Sequence, residues 1–334
     1  MSTSPRNPEY VIALDVGGTG IKAALVGQER AEGGGADRAG SEGAGNELLY
    51  ESRRGTRREE GPDAVVEGIL DFAAELRAYG VEQFGTEPLA AGVAVPGILD
   101  EASGTAVYAA NLGWSDVPLR ALLAARLGGI PVALGHDVRT GGLAEGAIGA
   151  GEGVDRFFFM ALGTGIAGAI GMDGRVEPGA HGGAGEIGHV VVRPDGPECG
   201  CGQRGCLEAL ASASAVGRAW AAASGDSSAT AADAARAVRA GDERAIAVWR
   251  DAVDALAAGL VTALTLLDPR TVIIGGGLAE AGDILFVPLR EAVRERVTFQ
   301  RLPTIVPAAL GDAAGCLGAG LLARDLLSAE VASR

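Results

Sequence analysis

The stretch from His181 to Glu208, HGGAGEIGHVVVRPDGPECGCGQRGCLE, holds two of the three histidines and three of the four cysteines of the chain. A sequence so sparing with both residue types has gathered them in one place. His189, Cys199, Cys201 and Cys206 offer one nitrogen and three sulfurs, a set that suits tetrahedral zinc. Cysteines as close as 199, 201 and 206 are too near for an ordinary disulfide framework and read as thiolate ligands, which fits a reducing cytoplasm. Cys316, in AAGCLGAGLL, reads instead as a small buried hydrophobe. Glu186 and Glu208 flank the metal set, one before and one after. The pattern points to a segment held in shape by metal, with the chemistry done beside it.

Three glycine turns follow apolar strands: Asp15-Val16-Gly17-Gly18-Thr19-Gly20, Leu162-Gly163-Thr164-Gly165 and Gly275-Gly276-Gly277. Glycine permits a tight turn and lets main-chain amides approach phosphate oxygens without a Cβ in the way. None matches the GxxxxGK[ST] or GxGxxG loop, and any one alone could be a packing turn. Three together, two of them carrying Gly-Thr, favour nucleotide binding. Asp15 follows an apolar strand and precedes the first turn, where burial is costly without a hydrogen bond or a cation. A divalent ion held through water beside phosphates would meet that cost; a turn-capping aspartate is the plainer reading. Asp137 ends the strand segment PVALGHD just before a glycine-containing helix. A carboxylate there could take a proton from a substrate hydroxyl during phosphoryl transfer, or it could cap the helix. On the residues alone the two readings stand level.

Composition bounds the rest. The 43 acidic against 28 basic residues give a net charge of −15, against the basic footprint of a nucleic-acid binder. The one basic cluster, Arg53, Arg54, Arg57 and Arg58, lies among glutamates and reads as a solvated loop. No apolar run reaches 18 residues and the N-terminus is polar, so neither a membrane span nor a signal peptide is indicated. At 334 residues the chain is long enough for two domains.

These residues need strands and helices to place them. VIALDV at 11–16 and AALV at 23–26 read as strands, with a loop or long hairpin tip over 27–47. Val65, Ile69, Phe72, Leu76 and Tyr79 recur at helical spacing. LAAGVAVPG and PVALGHD read as strands, with a helix over 118–128 between them and another, TGGLAEGAIGA, after them. Residues 157–170, FFFMALGTGIAGAI, repeat the strand, glycine turn and apolar run of 11–26, a hint of internal duplication. Alanine-rich helices follow the cysteine segment, a long one running from about 243 to 267 and stopping at Asp268-Pro269. TVIIGGG is a further strand, and ILFVPLREAVRERV and AAGCLGAGLLARDLL are helices. Strands alternating with helices predict α/β layers with mainly parallel central strands.

Taken together, LDVGGTGIKAALV, VPG at 95–97, ALGTGIAGAI, GEIGHVVV, CGCGQRGCLE and IIGGGLAEAG resemble the ROK family of sugar kinases and repressors, within the sugar kinase and actin superfamily. The likeness covers nearly the whole chain and lies nearest to the ATP-dependent glucokinases of actinobacterial type. GEIGH combined with CxCGxxGCxE is its most specific part. The resemblance implies a two-domain, actin-like (ribonuclease H-like) α/β fold with a zinc-binding loop. The smaller domain would comprise 10–136 with 317–334, the larger 137–316 with the zinc segment 189–206 and the active site in the cleft between them. It further implies that Asp15, Gly17, Gly18 and Thr19, with Gly163, Thr164 and Gly165, hold ATP and Mg2+. Gly275, Gly276 and Gly277 would line the base and ribose. Asp137 would be the catalytic base, and Asn111, His136, Glu186, His189 and Glu208 would face the sugar, His189 also binding structural Zn2+. The implied reaction is phosphorylation of the 6-hydroxyl of glucose in the cytoplasm by a homodimer or homotetramer. The ten residues ahead of the first strand are too few for the helix-turn-helix of the family's regulators, so no nucleic-acid or membrane partner is expected.

One position departs from the family, which usually has asparagine where this chain has His136. Neutral histidine is bulkier and offers one donor and one acceptor. It is expected to reach a sugar hydroxyl through one ring nitrogen; the competing reading packs it under the strand end. A kinase of another hexose or N-acetylhexosamine therefore stays open, as does a catalytically weak sugar-binding regulator.

Overall fold

The computed structural model describes residues 8–28 and 46–332. Most of the loop expected over 27–47 lies outside the described residues; its two ends belong to strands. The chain divides into two compact units, one running as far as Ala144 and resuming at Ala313, the other spanning Glu145–Asp312.

In the first unit the sheet contains β1 (Tyr10–Val16), β2 (Gly20–Gln28), β3 (Asn46–Gly55), β4 (Ala91–Val95) and β8 (Val132–His136), in the order β3-β2-β1-β4-β8. The β1–β2 and β2–β3 pairs are antiparallel, and β1, β4 and β8 run parallel. Between β4 and β8 a small sheet of β5 (Ile98–Asp100), β6 (Thr105–Ala109) and β7 (Trp114–Val117) is followed by helix α2 (Leu119–Arg126). Helix α1 (Pro62–Phe84) starts on Pro62 and ends at Gly85, whose φ of 69° glycine adopts without strain. Helix α3 (Asp137–Ile148) follows β8 directly.

Both faces of the central strands are covered, which is why Tyr10–Leu14 of β1 and all of β4 are apolar throughout rather than alternating. Ile12 and Leu14 pack with Ile69, Leu76 and Leu123 on one face. Val11 and Ala13 pack with Ala24 and Val26 against Cys316, Ala319 and Ala323 of the closing helix Ala314–Ala332 on the other. The small residues of that second face are needed: a Cβ on Gly92 would come within 1.8 Å of the Ala319 carbonyl oxygen. Cys316 is buried there, as expected of a small hydrophobe.

The second unit repeats the plan. Its sheet, β9 (Arg156–Leu162), β10 (Ile166–Met172), β11 (Arg175–Val176), β12 (Thr271–Gly275) and β13 (Thr304–Pro307), has the order β11-β10-β9-β12-β13. Again the first two strands of the series form an antiparallel pair, and β9, β12 and β13 run parallel. The short likeness of 11–26 to 157–170 thus marks equivalent hairpins in two sheets of the same topology. Helices α4 (Leu207–Ala211), α5 (Ala213–Ser224), α6 (Ala231–Arg239), α7 (Glu243–Leu267) and α8 (Asp283–Arg296) complete the unit. Leu207, Trp249, Leu256, Leu260 and Leu289 pack with Phe158, Met160 and Ile274. Helix α7 is capped by Asp242, which accepts from the Arg244 amide at 2.9 Å, and stops at Asp268 before the proline.

The arginine cluster differs from expectation. Arg53 and Arg54 belong to β3, with Arg57 at the turn after it, rather than to a loop. β3 is an edge strand, and charge on an edge discourages pairing with another chain. Arg54 also stacks its guanidinium 3.9 Å above the Phe72 ring. Among the described residues no helix is long and apolar enough to cross a membrane.

Candidate active site

In the first unit the alternation of β1 puts Asp15 on the closing-helix face, one residue before the strand ends. It stands in register with Lys22 of β2, whose Nζ lies 3.7 Å from Asp15 Oδ2. The carboxylate also lies over Gly315, the second residue of the closing helix, where a Cβ would come within 2.3 Å of Asp15 Cγ. Asp15 thus lies between a lysine and a helix start at the mouth of the turn. In the turn itself the Gly17 amide donates to the Gly20 carbonyl at 2.8 Å, and the Thr56 hydroxyl donates to the Gly18 carbonyl at 3.2 Å. Thr19 is exposed. Exposed Asn111, in the turn joining β6 to β7, stands against Gly18, its Nδ2 3.6 Å from where a Cβ would sit.

Strand β8 delivers His136 and Asp137 to the start of α3. Asp137 is the first helical residue and His136 precedes it, so the capping position is occupied by the histidine. The Arg139 amide donates to His136 Nδ1 at 3.5 Å, a long bond in the pattern of a cap. Asparagine is a favoured cap, and histidine can fill the same place. His136 is buried, with Nδ1 3.3 Å from Asp137 Oδ1. Asp137 Oδ1 accepts from the Val138 amide at 2.7 Å. Burial pushes the Asp137 carboxyl up to about 6, outweighing the Val138 amide and the Arg139 charge that pull it down. Arg139 itself is buried and pairs with Glu101 at 3.0 Å.

In the second unit the LGTG turn joins β9 to β10, with the Gly163 amide donating to the Gly165 carbonyl at 3.0 Å. Glu208, in the first turn of α4, closes on that turn: its Oε2 accepts from the Ile166 amide at 2.9 Å. A Cβ on Gly165 would lie 2.4 Å from the same oxygen. A carboxylate and a phosphate-type turn are therefore in contact, a pairing that spacing along the sequence does not reveal.

His189, Cys199, Cys201 and Cys206 converge, their ligand atoms all within 4.8 Å of one another, and this set could hold a metal ion. Cys201 and Cys206 sulfurs are 3.7 Å apart, and the Cys199 sulfur is 3.6 Å from His189 Nδ1. Tetrahedral zinc, with Zn–S near 2.3 Å, sets sulfurs roughly 3.8 Å apart. Burial and the neighbouring sulfurs push the Cys206 thiol up to about 12, so a closed thiolate set needs a cation at its centre. The knuckle depends on Gly205, with φ of 73°, whose Cβ would fall 1.5 Å from the Arg193 carbonyl oxygen. With Nδ1 turned to the sulfurs, His189 turns Nε2 toward Glu186, 4.0 Å away.

The third glycine turn, Gly275, Gly276 and Gly277, lines a cavity of about 240 Å³ with Glu280, Pro307, Ala308 and Asp312. Gly277 faces open space, and Gly276 has φ of 84°. Reading the sequence missed Lys22, Arg139 and Glu145 in these surroundings. Lys22 had a signal, being the single lysine beside 27 arginines. Glu145 had one too, as the lone charge in the apolar run LAEGAI.

A family model described as ROK family matches residues 11–326. A glucokinase of Thermotoga maritima is 34% identical over 331 residues, covering 94% of this chain and 97% of that one. An N-acetylmannosamine kinase of Haemophilus influenzae is 31% identical, covering 95% of this chain and 96% of the relative. Among solved structures, a ROK family glucokinase from Streptomyces griseus in complex with glucose and AMPPNP superposes with a TM-score of 0.75 at 29% identity, covering 95% of this chain and 99% of that one.

Proposed function

This chain belongs to the ROK family as a sugar kinase, and we propose that it transfers the γ-phosphoryl group of ATP to the 6-hydroxyl of glucose. The observation that carries the reading is Asp137. It sits at the first residue of a helix whose third amide is met by His136 rather than by its own carboxylate; Oδ1 accepts from the Val138 amide, and burial lifts the carboxyl to about 6. A base with its pKa near the working pH accepts a proton without being permanently spent on a structural bond.

In this reading Asp137 orients the attacking hydroxyl and takes its proton as the oxygen bonds to the γ-phosphorus. Glu186, His189 through Nε2, Asn111 and Glu208 fix the other hydroxyls. His136 contributes through Nε2, because Nδ1 faces the Arg139 amide. Main-chain amides of the turns at 17–19 and 163–165 receive the phosphates. Asp15 would hold Mg2+ through water, and that ion would neutralise charge on the phosphate oxygens. Zinc on His189, Cys199, Cys201 and Cys206 would have four protein ligands and no open position, so it would hold Glu186 and Glu208 in place rather than activate a nucleophile.

The similarity to glucokinases and to an N-acetylmannosamine kinase at comparable identity leaves the sugar to be measured. ADP release is followed with glucose, mannose, fructose, N-acetylglucosamine and N-acetylmannosamine. The highest kcat/KM is expected for glucose. A tenfold lead for another sugar would reassign the substrate, and sugar binding without turnover would favour a regulator.

The Asp137 carboxyl also fixes a pH dependence. The base works ionised, so kcat/KM should fall as pH falls through about 6, approaching tenfold per unit below it. An acid limb centred near 4 would mean that Asp137 is not the titrating base.

A further inference from the structure

Glu145 lies on α3 and is fully buried, yet among the described residues no cation pairs with it. Main-chain amides meet both carboxyl oxygens. Oε2 accepts from Ala150 at 2.9 Å and from Ala309 at 3.1 Å, and Oε1 accepts from Leu310 at 2.8 Å. The glutamate's own surroundings are built for it: a Cβ on Gly149 would come within 2.4 Å of Oε2. A buried carboxylate is costly unless its lone pairs are filled, so these bonds hold both partners firmly.

Ala309 and Leu310 sit inside the loop that follows β13. Pro307, the last residue of β13, and Ala308, Gly311 and Asp312 after it form one wall of the cavity whose other wall includes Ile274 to Gly277. The Ala308 amide donates to the Ile274 carbonyl at 2.9 Å, which fixes the start of the loop, and Gly311 turns it with φ of 52°. Between those points lie Ala309 and Leu310, and the side chain that bonds their amides is Glu145. The wall is mostly main chain, so its shape depends on what holds its amides.

We propose that Glu145 is a positioning residue for nucleotide affinity, shaping the 307–312 wall by clamping the amides of Ala309 and Leu310. This rests on the proposed ATP-dependent reaction and on the family resemblance, which puts Gly275, Gly276 and Gly277 around the base and ribose. Glutamine is nearly isosteric, but its NH2 group would face a main-chain N–H and leave at least one donor of the three unmet.

The test is ADP titration by calorimetry in the presence of Mg2+, together with steady-state kinetics, on Glu145→Gln, Glu145→Asp and Gly277→Phe. Glu145→Gln should weaken ADP and raise KM for ATP about tenfold or more, with KM for the sugar changed less than about twofold. Glu145→Asp keeps the charge but cannot reach all the amides, and should lie between it and the wild type. Gly277→Phe fills the cavity and should abolish ADP binding. Normal ADP affinity in Gly277→Phe would sink the nucleotide reading of the cavity itself. Loss there with unchanged affinity in folded Glu145→Gln would overturn only the role given to Glu145. Should both glutamate variants fail to fold, hydrogen exchange on the wild-type protein decides. Slow exchange at Ala309 and Leu310, further slowed by ADP, is expected; exchange at the rate of an open loop would refute the clamp.

Discussion

Asp137→Asn is expected to lose about 10²–10⁴-fold in turnover while folding normally and binding sugar nearly as well as the wild type. The amide keeps the size of the side chain and can still accept from the Val138 amide. It cannot take the hydroxyl proton. The variant carries a second expectation that a structural aspartate would not. Because the carboxyl is raised to about 6, the folded protein binds more protons than the unfolded chain between about pH 4 and 6. Stability from this group therefore falls as pH rises through that window, and at neutral pH the ionised base is a liability. Asp137→Asn should thus melt at or above the wild-type temperature at pH 7.5. A lowered melting point with near-normal turnover would make Asp137 a helix-end residue and nothing more.

Cys201→Ala should remove both metal and activity. Cysteine 201 is the exposed member of the four-ligand set, so its own packing contributes little and the effect isolates the metal. Cys206 precedes α4, which carries Glu208, and His189 ends the short helical turn that begins after Glu186. With one sulfur gone, the tether between these two segments is lost. A destabilisation on the order of 3 kcal/mol, or a melting point lower by roughly 6–12 °C, is expected, with metal content falling from one zinc per chain toward none. Chelator treatment of the wild type should reproduce the loss, and added zinc should reverse it. Full activity in protein shown by metal analysis to be zinc-free would contradict the role assigned to the cluster.

Much of this was legible in the residues because the features are local. The metal set lies within 18 positions of sequence, and its geometry follows from a knuckle that Gly202 and Gly205 allow. The hairpins at 11–26 and 157–170 were legible as a repeat because each is a strand, a glycine turn and a strand. Long-range placement was not. That Glu208 closes on the LGTG turn, or that Glu145 reaches a loop 164 residues away, depends on how helices return to the sheet. At Asp137 the residues alone leave base and cap level; the helix begins at Asp137 and the Arg139 amide donates to His136 Nδ1, which supports the proposed role as base. The arginines of β3 were misread because an edge strand with charges resembles a loop in composition.

The proposed reaction moves a phosphoryl group from ATP to the 6-hydroxyl of a hexose. The most direct measurement incubates the purified protein with ATP, Mg2+ and 13C-labelled glucose and identifies the product by 31P and 13C NMR. A phosphomonoester coupled to carbon 6 is expected, formed in step with ADP and absent in Asp137→Asn. Phosphate on any other carbon, or ATP consumed only to inorganic phosphate with the sugar unchanged, would contradict it.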